Sequence, residues 1–306
     1  MSPAALPPRL RGTPMLVLSS LIFALMAFCA RLTAGRIGTG QLVCARFLMG
    51  LAFLAVYFGG RRQRPRFGRP WLWAARGLFG GAAVFLYFLA IDRLAVGPAT
   101  LLNCLWPLWA ALFSLVFLRE RVSSHLGAGL VLTTVGAGLV IWSTVRTGVA
   151  LTVGLGAWAG IASAVLSGAA VTVVRALRSD TDAPTVFLSF NLFGFLFALP
   201  FAPVGWQPLD WSLLWPVLGV GVTSVVAQML LTYALGFVST ATGGVATQLT
   251  PAFSWLLGAL LLGEPILPLA LVGALVCMGG VLWGTGVHLR LFAAAPAPAG
   301  PDPADP

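Results

Sequence analysis

The sequence predicts an all-α integral membrane protein whose ten transmembrane helices form two inverted five-helix repeats, and three observations carry that expectation. Of its 306 residues, 59% are hydrophobic and only 8% charged, against about 25% charged in soluble domains. Uncharged runs are long: no charged residue lies between Trp211 and Gly263, room for two membrane helices of about 20 residues each. Hydrocarbon offers the backbone no hydrogen-bond partner, so spanning segments must be helices or closed barrels, and these runs lack the alternation of barrel strands. Finally, the chain resembles itself at an offset of 144 positions, without a gap.

Taken in order, Met1 to Arg11 precedes an apolar run from Pro14 to Ala30. That run is long for a signal-peptide core and no A-x-A site follows it, so it is expected to remain as the first membrane helix. The ten helices are expected at about 14–34, 39–58, 71–91, 97–118, 124–144, 153–175, 184–204, 212–236, 242–262 and 266–288. Short connections leave no room for a second, soluble domain. The resulting division is a cytoplasmic N-terminal segment (1–13), a first repeat (14–145), a second repeat (153–289) and a proline-rich cytoplasmic tail expected to be disordered (290–306).

The net charge of +10 comes from arginine alone, because the chain contains no lysine. With the N-terminus inside, the inner segments carry Arg9, Arg11, the five arginines from Arg61 to Arg69, Arg119, Arg121, Arg175, Arg178 and Arg290, and the outer ones only Arg31, Arg36, Arg93 and Arg146. This asymmetry predicts cytoplasmic termini in a cytoplasmic (inner) membrane, and it accounts for the basic balance without nucleic acid. The loop at 61–70 also fits a site for acidic lipid, but topology alone explains it. The four cysteines all lie in apolar segments, with neither metal-site nor disulfide spacing, and read as small core residues. The expected partners are the lipid bilayer and a small-molecule substrate; no cofactor or metal is implied, and the oligomeric state stays open, a monomer included.

At the 144-residue offset, Ser19 aligns with Ser163, Arg31 with Arg175, Gly50 with Gly194, Trp71 with Trp215, Pro107 with Pro251, Glu120 with Glu264 and Gly136 with Gly280. Glycines could match by composition; paired tryptophan, proline, arginine and glutamate do not. Each unit holds five helices, an odd number, so the second must enter the membrane from the opposite side, the architecture of many secondary transporters.

The repeated pair of stretches 103–120 and 247–264 holds the chemistry. A proline within a helix removes one N–H and frees the carbonyl four residues earlier, here those of Asn103 and Thr247. Two breaks near the midplane, each beside a polar side chain, are where such a transporter is expected to hold its substrate. The candidate substrate contacts are Asn103, Trp106, Pro107, Tyr87, Gln228, Thr247, Gln248, Thr250, Pro251 and Arg76. Trp109 and Trp158 are further candidates for aromatic walls. Helix packing explains the small-residue stripes, such as Gly77 with Gly81 and Gly156 with Gly160, as well as a cavity does. Arg46 and Arg76 lie inside helices: Arg46 is expected to face the bundle, whereas Arg76 is close enough to a helix end to snorkel to the headgroups. Either could attract a carboxylate or phosphate.

No carboxylate lies at mid-membrane, since Asp92, Glu120, Asp210 and Glu264 all fall at helix ends, which leaves no carrier for a buried proton or sodium relay. Glu120 and Glu264 directly precede the next helix and are expected to accept its free N–H groups, with gating as the other reading. His125 and His288 form no ligand pair, and Val165 replaces the first glycine of a rhomboid-like G-x-S-G at Ser167 and Gly168.

These residues resemble the EamA family of the drug/metabolite transporter superfamily over about residues 14 to 288. The carrying motifs are LLGEP at 261–265, LVGALVCMGGVLW at 271–283, and in the first half LAVGPATLL, WPLWAALFSLVFLRE and GAGLVLTTVGAGLV, with Arg119 where glycine is usual and Arg46 matching the arginine of the second helix. The resemblance implies a ten-helix carrier with a cavity formed mainly by helices 1, 3, 4, 6, 8 and 9, and export of amino acids or related metabolites by alternating access. A multidrug efflux carrier of the same fold is the alternative, and an intramembrane enzyme is the rival from another class.

Overall fold

The computed structural model describes residues 8–61, 65, 69–117, 125–145, 150–177, 181–234 and 247–284. Glu120, Arg119 and His288 lie outside them, as does the 290–306 tail. Eleven α-helices make up the described chain: α1 Pro8–Leu32, α2 Thr39–Arg61, α3 Pro70–Arg93, α4 Val96–Asn103, α5 Trp106–Phe117, α6 Leu126–Val145, α7 Ala150–Leu177, α8 Ala183–Ala198, α9 Trp211–Ala234, α10 Leu249–Leu262 and α11 Pro268–Gly284. Because α4 and α5 share one span, Val96–Phe117, there are seven apolar spans long enough to cross a membrane and three shorter apolar helices, Gly127–Ser143, Leu249–Leu262 and Pro268–Gly284. Large apolar side chains point outward, Val56 at 76% exposure and Leu260 at 72%, as lipid contact requires and water would penalise. The chain is a multi-pass α-helical membrane protein.

Packing follows the repeat. The contact of α3 with α7 has its counterpart in α9 with α1, and that of α3 with α8 in α9 with α2. Two pairs, α2 with α8 and α6 with α11, join a helix to its own equivalent, so they lie on the pseudo-two-fold axis. Individual atoms obey the same relation: Cys277 Sγ donates to the carbonyl of Thr133, 144 positions earlier, at 3.4 Å. In the α6–α11 seam a Cβ on Gly136 would lie 2.6 Å from the Gly273 carbonyl oxygen, and one on Gly280 would lie 2.9 Å from that of Gly129. Such backbone contact is what small residues allow where lipid supplies no hydrophobic drive between helices. The GxxxG pairs serve packing too, Gly81 against Gly194 and Gly160 against Leu102.

The fourth helix departs from the expected continuous span. It stops at Asn103, turns through Cys104 and Leu105, and restarts at Trp106. Pro107 is thus the second residue of a new helix and Pro251 the third of α10. In a first turn a missing N–H costs nothing, because no intrahelical carbonyl is available to it. The prolines start helices instead of interrupting them.

Candidate functional site

A cavity of about 500 Å³ opens between the two repeats, within the usual range for small-molecule sites. Its walls come from α1 (Phe23, Met26), α3 (Arg76, Gly80, Ala83, Tyr87), the α4–α5 turn (Asn103, Cys104, Trp106), α7 (Ser167, Val171), α8 (Phe187, Phe190), α9 (Gln228, Thr232) and the entry to α10 (Thr247, Thr250), with Arg46 contributed by α2. Val174, Ala183 and Thr232 also line it. They sit within a turn or so of the helix ends on the face where α2 ends at Arg61 and α3 begins at Pro70, so the cavity extends towards that face.

The opposite end is held together by polar contacts. Arg31 Nε lies 3.0 Å from Glu264 Oε1, and the other carboxylate oxygen accepts the Val96 amide at 2.9 Å. Gln41 donates to the Gln207 carbonyl at 2.7 Å and accepts the Gln207 amide at 3.1 Å. Glu264 therefore caps α4, not the helix that follows it. The reason is local: Gly263, at φ 64°, reverses the chain at the end of α10. This turns the glutamate back against Gly258, where a Cβ would lie 2.6 Å from Oε2.

The two breaks meet at the axis. Gln248 Nε2 donates to the Cys104 carbonyl at 2.8 Å, a bond between repeat-equivalent positions. Cys104 Sγ in turn approaches the Thr247 carbonyl at 3.8 Å. The broken helix thus has its carbonyl satisfied from the other repeat, as a buried backbone acceptor requires. Asn103 donates to Ser163 Oγ on α7, and Tyr87 Oη lies 2.9 Å from Thr100 Oγ1.

Of the sequence candidates, Tyr87, Asn103, Trp106, Gln228, Thr247, Thr250 and Arg76 line the cavity. Gln248, Pro107 and Pro251 are buried behind that lining and shape the breaks. Trp158 is 73% exposed on the outer surface and forms no wall, while Trp109 packs against Gly168 in the α5–α7 contact. Arg76 does not snorkel. Its Nη1 occupies the place a Cβ on Gly80 would take, one turn further along α3 and away from the nearer helix end. Its guanidinium carbon lies 4.1 Å from the centroid of the Phe190 ring.

The site list drawn from sequence omits Arg46, Thr100, Ser167, Phe190 and Thr232, all of which line the cavity. Arg46 carried a usable signal, a cation deep in an apolar helix. Phe190 sits at its repeat-equivalent position, and the two are in contact at 5.2 Å.

The model of the EamA-like transporter family matches residues 10–142 and 154–285. A Helicobacter pylori protein described as an uncharacterized transporter is 27% identical over 285 residues, covering 89% of this chain and 93% of its own length. The pseudopaline exporter CntI of Pseudomonas aeruginosa is 26% identical over 233 residues, covering 73% of this chain and 78% of its own. A solved crystal structure shares the fold, with a TM-score of 0.63 at 22% identity over 92% of this chain and 97% of that one. With both halves matched by the same model, the chain belongs to the EamA-like transporter family.

Proposed function

We propose that this protein carries a small metabolite across the cytoplasmic membrane by alternating access, as an exporter of amino acids or related compounds, with both termini in the cytoplasm. The observation that carries the reading is a single cavity built by both repeats, extending to one face while the other is tied by the Arg31–Glu264 pair. In an inverted repeat, exchanging the conformations of the two halves opens the opposite face around the same site. The arginine count assigns the open face to the cytoplasm, from which an exporter loads its cargo. The relative described as a pseudopaline exporter supports the direction.

Multidrug efflux is the second reading, favoured by the aromatic and aliphatic part of the lining, Phe23, Met26 and Phe187. Two arginines in the same walls weigh against lipophilic cations as cargo. The enzymatic reading is set aside because the family is one of transporters. A metabolite-resolved efflux screen in cells overproducing the protein tests the proposal. One or more compounds should accumulate outside, and the Asn103→Ala variant should reduce that accumulation. An unchanged medium, or efflux indifferent to every cavity variant, refutes it.

A further inference from the structure

Resting on that reading, we infer that the cargo is a small metabolite bearing two negative charges, held against an anion site formed by Arg46, Arg76 and Phe190. The cavity walls contain two cations and, among the described residues, no carboxylate. Arg46 is 4% exposed and Arg76 7%, so neither side chain reaches bulk water. Arg46 Nε and Nη1 and Arg76 Nε have no hydrogen-bond partner. Buried guanidinium nitrogens are ordinarily paired, because an unsatisfied charged donor is costly. Arginine keeps its charge at neutral pH, so the pair calls for a counter-charge.

The two groups are placed together. Their guanidinium carbons lie 5.2 Å and 4.1 Å from the centroid of one ring, that of Phe190, so their separation cannot exceed the sum of those distances. The Phe47 ring, 5.0 Å from Arg46, supports the first from another side. Aromatic faces attract cations but use no N–H donors, so these ring contacts leave the buried donors unpaired. Gly80 makes the second placement possible, since any side chain there would displace the Arg76 Nη1 group.

The repeat sharpens the point. The equivalents of Arg46 and Arg76 in the second half are Phe190 and Val220. The symmetric fold does not need arginine at either position, because it is built with apolar residues at their counterparts. Both charges belong to one half, and both face the shared cavity. A dianion entering from the cytoplasm supplies the missing counter-charge. Two separated carboxylates or a single phosphate ester would meet the same chemistry.

The test uses the full chain in lipid nanodiscs and reads thermal stabilisation by glutarate, glycerol 3-phosphate, glutamine and putrescine at equal concentration. At least one of the two dianions should raise the unfolding midpoint, and which of them does so distinguishes paired carboxylates from phosphate. Glutamine and putrescine should shift it little. Arg46→Gln and Arg76→Gln should each weaken the dianion at least tenfold in a titration, and Arg46→Lys should restore part of it. Gly80→Ala keeps both charges and should also weaken binding, which keeps the inference testable if a glutamine variant does not fold. The inference is overturned if neither dianion shifts the wild-type protein, if glutamine or putrescine shifts it as much, or if folded variants bind undiminished. Dianion binding without flux in proteoliposomes would leave the site standing and refute the transport reading instead.

Discussion

Replacing Glu264 separates the two jobs of its carboxylate. The pair with Arg31 joins side chains that are 30% and 12% exposed, so it is partly screened, and such pairs contribute about 0.2–1 kcal/mol. The bond from the Val96 amide is different, because Val96 is fully buried and an orphaned buried donor costs about 1–3 kcal/mol. Glu264→Gln keeps an oxygen for Val96 and loses only the ion pair; Glu264→Ala loses both. At about 2–4 °C per kcal/mol for a chain of this order of size, the glutamine variant should lower the unfolding midpoint by a few degrees at most and the alanine variant by clearly more. Both contacts tie the closed end, so a loss of about 2 kcal/mol there favours opening by roughly 30-fold. Hydrogen exchange at the Val96 amide reads this directly: slow in wild type, slightly faster in Glu264→Gln and much faster in Glu264→Ala. Equal exchange in the two variants, or an alanine variant as stable as the glutamine one, would refute the reasoning.

Gln248→Leu should orphan the Cys104 carbonyl, lowering stability by about 1–3 kcal/mol, whereas Asn103→Ala, at the half-buried cavity wall, should cost less stability and more flux; thermal unfolding and proteoliposome transport measure the two effects. Gly136→Ala should disrupt the α6–α11 seam, since its Cβ would meet the Cys277 amide and the Gly273 carbonyl, both at 2.6 Å, while Gly138→Ala on the same helix has nothing within 4 Å and should fold normally; expression and a monodisperse chromatographic peak distinguish them. Asp210 accepts the Ser212 hydroxyl at 2.8 Å and the Leu213 amide at 2.9 Å; these bonds, the Ser212 hydroxyl first, hold its pKa below the ordinary carboxylate value. A depressed folded pKa means that its capping contribution to α9 is present above the unfolded value and lost as pH falls through the folded one. Asp210→Ala should therefore destabilise the protein at neutral pH and make little difference in acid, as paired thermal melts would record.

The sequence alone determined the membrane fold, because hydrocarbon permits so few backbone solutions that composition and run length suffice to choose one. It also determined the inverted repeat, since the offset of 144 and an odd helix count are properties of the string. Seven of the ten candidate contacts line one cavity for the same reason: Tyr87, Asn103 and Thr247 fall on breaks or polar faces that periodicity reveals. Tertiary structure decided what each polar atom faces. An offset says that Cys104 and Gln248 are equivalent, but only the closing of the two halves makes them partners across the axis. Depth in a helix could not say which way Arg76 turns; the empty place at Gly80 and the ring of Phe190, 114 residues away in sequence, decide that. Nor could helix-end position show that Glu264 would cap α4, because that depends on the reversal at Gly263 and on a neighbour from the first repeat. Long-range partners of side chains are fixed by packing, and packing is not a local property of the chain.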